Sequence, residues 1–156
     1  MTTSPFTLLP FRGTEPRIAD SVYCAAGSVI IGDVTIGEES SIWFNTVLRG
    51  DVHKIVVGAR TNIQDNTTVH VTAGVAPCII GDDVTIGHNA VVHACTIGDR
   101  CIIGMGSIIL DKAVIPDRSF VAAGSVVPPG KTYPPGMMIM GSPAKAVREL
   151  RDNELN

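Results

Sequence analysis

The chain has 156 residues, of which 45% are hydrophobic but only 4% aromatic, and its formal net charge is -3. That length suffices for one domain with its own core. Without a Lys/Arg cluster the chain lacks the electrostatic footprint that phosphate backbones require, and no run approaches the roughly 18 apolar residues that span a bilayer, so neither nucleic acid nor membrane is an expected partner.

Residues 1–17 form an N-terminal segment in which no basic stretch precedes the short apolar run "FTLLPF". No secretory signal is read there, and a cytoplasmic location is expected. Four cysteines, Cys24, Cys78, Cys95 and Cys101, fall in no C-x-x-C spacing and are expected to be free thiols.

Across residues 18–130 a branched aliphatic recurs every six residues: Ile30, Ile36, Ile42 and Leu48, then Ile97, Ile103, Ile109, Ile115, Val121 and Val127. Six is neither a helical nor a simple strand period. Gly often follows the aliphatic, as in "IIGDVTIG" and "IIGDDVTIG", so each unit reads as a short strand and a tight corner. One such strand cannot bury its aliphatic alone. Three units must close a triangular coil, and about six coils must stack into a continuous apolar column. The expected fold is an all-β solenoid, a parallel β-helix of hexapeptide repeats, and small branched side chains suit its narrow interior.

Residues 131–156 form the tail. In "GSPAKAVREL", Ser142 reads as an N-cap and Pro143 as the first helical position, which predicts a closing α-helix with Ala146, Val147 and Leu150 against the solenoid.

The six-residue phase fails three times, between Leu48 and Val57, Val75 and Ile80, and Val92 and Ile97. Sequences break their own local rules most often where function demands it. The first break holds "RGDVH" with Arg49, Asp51 and His53; the third holds His93; His70 and His88 lie between. His70 follows the inward-phase Val69 and should therefore point outward. Singly, each histidine would be a surface residue. Grouped at the breaks, His70, His88 and His93 favour a metal site, because three neutral imidazoles leave a position open for water. Upstream, "NIQDN" supplies Asn62, Gln64 and Asp65, either as caps of solenoid corners or as part of that site.

The hexapeptide pattern resembles the left-handed β-helix of bacterial acyltransferases and γ-class carbonic anhydrases. The hand comes from the resemblance alone, since the general rule for parallel crossovers favours the opposite one. "LRGD", "NIQDN", a histidine five residues after Asp65, and "GHNAVVH" stand in the order found in γ-class carbonic anhydrases. This similarity covers nearly the whole chain. It implies hydration of a small-molecule substrate, CO2, by a homotrimer with zinc, or else iron or cobalt, at each subunit contact. His70 and His93 would share the ion with a neighbour's His88. By the same resemblance Gln64 would hold the reactive hydroxide, Asn62 would orient Gln64, and Arg49, Asp51 and Asp65 would form ion pairs across the contact.

The chain departs from that pattern in one respect. Only the compact "VTAGVAPC" follows His70, and Val52 stands where an acidic residue often follows "RGD", so an acidic proton relay is missing. An acyltransferase using a histidine base, a metal-dependent thioesterase, and a metal-binding module without turnover are the alternatives on the same fold.

Overall fold

The aliphatics of the six-residue series all point into one column: none of Ile30, Ile36, Ile42, Leu48, Ile97, Ile103, Ile109, Ile115, Val121 and Val127 is more than 2% exposed. Removing such a side chain from water stabilises the fold by about 1.5–3 kcal/mol. The computed structural model describes residues 5–154, so residues 1–4 of the N-terminal segment and 155–156 of the tail lie outside the described residues. It shows an all-β parallel solenoid of about seven turns.

Three faces make the prism. The first stacks Thr7–Leu9, the starts of Val29–Ile36 and Val47–Val57, then Thr68–His70, Val91–His93, Ile108–Ile109 and Val126–Val127, each parallel to the next. The second stacks Arg17–Ile18, the ends of the two long strands, Cys78–Ile80, Thr96–Ile97 and Val114–Ile115. The third runs from Tyr23–Cys24 through Ser41–Ile42, Asn62–Ile63, Thr85–Ile86, Ile102–Ile103 and Phe120–Val121 to Met137–Gly141. In the two-residue strands one side chain points in and the other out, as strand geometry requires.

The corner between the second and third faces shows how regular coils close. Its turning residues, Arg60, Asp83, Arg100 and Arg118, have φ of 53°, 57°, 56° and 58°, a region that non-glycine residues enter only with support. Aspartates supply it: Asp82 Oδ1 accepts from the Ala59 amide at 2.8 Å, Asp99 Oδ1 from the Asp82 amide at 2.9 Å, and Asp117 Oδ1 from the Asp99 amide at 3.0 Å. A side chain at Gly98 would collide with Asp117 Oδ1, so this ladder needs a glycine beside it.

The expected closing helix does not form. Ala144–Glu149 is instead a strand antiparallel to Met137–Gly141, and only a 3-10 turn, Asp152–Glu154, follows. Burial along that strand alternates with period two: Ala144 is buried, while Lys145, Val147 and Glu149 are exposed. Val147, assigned to the helical apolar stripe, is 50% exposed. Pairing with the last strand of the third face gives these backbone groups partners, and the Tyr133 hydroxyl donates to the Ala144 carbonyl at 3.0 Å. Tertiary pairing thus outweighs the capping signal of Ser142 and Pro143. No helix among the described residues is long and apolar enough to cross a membrane.

Candidate metal centre

Each break in the hexapeptide phase has a structural form. At the first, Gly32 pairs with Gly50 but Val34 pairs with Ile55, so Asp51 to Lys54 bulge where the facing strand has only Asp33. Such a bulge re-aims side chains, and it turns Asp51 outward. At the second, residues 72–76 make a small loop closed by a bridge between Thr72 and Ala76. At the third, His93 to Cys95 carry the chain around a corner that Leu110 to Ala113 turn in the next coil, and Ala94 adopts a φ of 44°.

The bulge, the loop and the shortened corner meet between the first and second faces. Thr68–His70 and Val91–His93 pair in register, which sets His93 directly beside His70. Val69 and Val92 fill the core, so both histidines face outward as expected. His70 Nδ1 lies 3.1 Å from His93 Nε2. The far nitrogens meet carboxylates: His70 Nε2 is 2.9 Å from Asp51 Oδ1, and His93 Nδ1 is 2.7 Å from Asp111 Oδ1. Arg49 binds the other oxygen of Asp51, and the Thr72 hydroxyl donates to Asp111 Oδ2 at 2.7 Å.

These contacts fix charges and protons. Burial works against the charged form of Asp51, but the hydrogen bonds from His70 and Arg49 outweigh it and hold that carboxyl below its usual range. The hydrogen bonds from Thr72 and then His93 do the same for Asp111. An ionised carboxylate can only accept, so the proton of His70 sits on Nε2 and that of His93 on Nδ1. When both rings are neutral, the two facing nitrogens both present lone pairs. They lie 3.1 Å apart, close enough for one cation to bond to both. The donor set fits a metal ion that favours imidazole.

His88 is not part of this cluster. It lies at the corner between the third and first faces, where its Nδ1 is 2.8 Å from Asp65 Oδ2. Its side chain is 43% exposed, against 18% for His70, so a second surface can reach it. Gln64 precedes Asp65 at the same corner, with its carbonyl accepting from the Thr46 hydroxyl at 2.9 Å. Asn62 lies on the adjoining strand, and its Oδ1 is buried without a hydrogen-bond partner. Among the described residues no single group of three His, Cys, Asp or Glu side chains within the chain could hold a metal ion.

The structure thus divides the predicted residues into two sets. Arg49, Asp51, His70 and His93 gather at one corner, and Gln64, Asp65 and His88 at another, with Asn62 on the strand leading to it. Sequence reasoning missed Asp111 and Thr72. A signal for Asp111 exists, since it follows His93 by 18 residues, the same step that separates Ser40 from its partner Gly58 one coil on.

Fold and site together define a hexapeptide-repeat protein carrying paired, carboxylate-backed histidines on its surface. The family described as the hexapeptide repeat of succinyl-transferase matches residues 77–111. A carbonic anhydrase of Geobacillus kaustophilus is 51% identical over 95% of this chain and 81% of its own length. The mitochondrial gamma carbonic anhydrase 2 of Arabidopsis thaliana is 46% identical over 96% of this chain, which spans 55% of that protein. The crystal structure of a hexapeptide transferase family protein from Anaplasma phagocytophilum superposes with a TM-score of 0.92 at 46% identity, covering 96% of this chain and 87% of that one. The chain belongs to the γ-class carbonic anhydrase family of hexapeptide-repeat proteins.

Proposed function

We propose that the protein hydrates CO2 to bicarbonate as a cytoplasmic homotrimer, with zinc, or else iron or cobalt, held at each subunit contact. The observation that carries this reading is the pair of ring nitrogens of His70 and His93 facing each other at 3.1 Å, each histidine backed by a carboxylate. Two imidazoles are one short of the usual three-ligand catalytic set. The exposed His88 at a different corner supplies the third when a ring of three prisms presses one corner against another. The relatives named carbonic anhydrase support the reaction, and the free thiols of Cys78, Cys95 and Cys101 suit a reducing compartment.

The metal, when bound, lowers the pKa of water to about 7, a general property of zinc in carbonic anhydrases. Gln64 holds the attacking oxygen by an amide, a group that hydrogen-bonds a nucleophile without consuming it. Asn62 has an unpaired acceptor, its Oδ1, and a hydrogen bond to it from the Gln64 side-chain amide would orient that amide. Asp51, Asp65 and Asp111 hold the rings of His70, His88 and His93, and Arg49 balances the charge of Asp51. Val52 offers no acidic relay in the bulge, so small buffer molecules carry the proton away and the rate rises with buffer concentration.

Mixing His70→Ala protein with His88→Ala protein tests the shared site. Mixed trimers should regain metal that neither variant binds alone, and a mixture that binds no more than its components sinks the arrangement. Stopped-flow CO2 hydration on the metal-loaded protein tests the reaction. A loaded trimer that is inactive on CO2 at every buffer concentration, yet cleaves an acyl-CoA thioester with dependence on Gln64, is a hydrolase instead.

A further inference from the structure

We infer that Asp111 and Thr72 form a positioning pair that dictates which nitrogen His93 offers to a metal, an inference that rests on the metal reading of the His70–His93 corner. Asp111 belongs to the coil after that of His93. Its own coil turns the corner with Leu110 to Ala113, whereas the coil of His93 turns it with only His93 to Cys95. Because the lower corner is shorter, the Asp111 side chain stands against the imidazole and meets Nδ1 at 2.7 Å.

Both oxygens of Asp111 are engaged, and by different elements. Oδ1 accepts from His93, and Oδ2 accepts from Thr72 at 2.7 Å, across a sequence separation of 39 residues. A carboxylate held at one oxygen can still swing about its side-chain torsions. Held at both, it presents Oδ1 to the ring in one orientation. Thr72 is itself fixed by the bridge to Ala76, and Gly74, at a φ of 64°, permits the reversal between them. The compact loop after His70 therefore has a use: it delivers the hydroxyl that pins Asp111.

The consequence lies at Nε2. A free neutral imidazole exchanges its proton between the two nitrogens, and a proton on Nε2 would block the atom that faces His70. Asp111 draws the proton to Nδ1 and leaves the Nε2 lone pair pointing at the shared position. Asp82, Asp99 and Asp117, stacked one coil apart at another corner, instead accept from backbone amides, so their role is closure of the coil.

Nitrogen-15 NMR of His93 in the metal-free protein reads the tautomer directly, and zinc competition titration reads its effect. The wild type should carry the proton on Nδ1. Asp111→Ala should release the ring into a mixture and weaken zinc binding by about 10- to 100-fold, the usual cost of losing such a partner. Thr72→Val should produce a smaller shift in the same direction. Asp111→Asn, whose amide oxygen still accepts from Nδ1, should restore the tautomer and most of the affinity, while a merely structural residue would alter the melting temperature without moving the ring proton. A wild-type His93 protonated on Nε2, or an Asp111→Ala protein with unchanged tautomer and affinity, overturns the inference. If the wild type binds no zinc, the metal reading fails by itself, and the tautomers of the two proteins still decide the role of Asp111.

Discussion

Two corners of the prism carry stacked carboxylates at nearly the same spacing and use them differently. Between the second and third faces, Asp82, Asp99 and Asp117 follow one another by 17 and 18 residues, and each accepts from a backbone amide of the preceding coil. Between the first and second faces, Asp51 and Asp111 stand 19 residues before His70 and 18 after His93, and each accepts from an imidazole. Residue type and spacing are nearly constant, so neither explains the difference. What differs is coil length. Where every coil turns with the same number of residues, the carboxylate falls on the neighbouring amide and caps it. Where the bulge at Asp51 to Lys54 or the shortened turn at Ala94 changes the count, the carboxylate falls beside an outward side chain instead.

The strongest way to break this comparison is to remove a ring from the irregular corner. His93→Ala should abolish both metal binding and CO2 hydration while the solenoid stays folded, because it takes one of the three proposed ligands but no core contact; elemental analysis beside a circular dichroism melt reads both. The regular stack should respond in the opposite manner. Ile103→Ala empties a fully buried site and should cost about 2–5 kcal/mol in chemical denaturation, with metal affinity of the folded protein unchanged.

Smaller effects sharpen the contrast. Gln64→Ala should retain metal and slow hydration by roughly 10- to 1000-fold, as when one positioned polar group is lost from a site that excludes water. Asp99→Ala leaves the Asp82 amide without its acceptor and should cost about 0.5–1.5 kcal/mol with no change in the rate of hydration. The smallest effect is in acid. The carboxyls of Asp51 and Asp111 lie below their ordinary value in the folded protein, so their contribution is full above that value, near pH 4, and is lost as the pH falls through their lower folded values. Replacing Asp111 by Asn should therefore flatten the acid limb of a stability-against-pH curve. An unchanged limb would show that the corner contributes nothing there.

The fold was largely legible because hexapeptide periodicity is a local property: each aliphatic of the Ile30 to Val127 series marks its own inward position. His70 was legible for the same reason, standing next to Val69 in a strand whose side chains alternate. The tail was misread because "SPAKAVREL" carries a helical cap, and only the open edge of the third face, with which it pairs as a strand, overrides that local signal.

The sequence by itself determined the column of aliphatics, the outward histidines and the places where the repeat breaks, since each of these depends on residues within a few positions of one another. Only the tertiary structure decided that Asp111 and Thr72 meet at His93, that Asp51 meets His70, and that His88 stands apart with Asp65. The physical reason is that contacts between coils depend on the summed length of everything in one turn. A residue inserted or missing at a corner is absorbed there while the strands stay in register, but it changes which side chains meet across coils, and no short stretch of sequence records that sum.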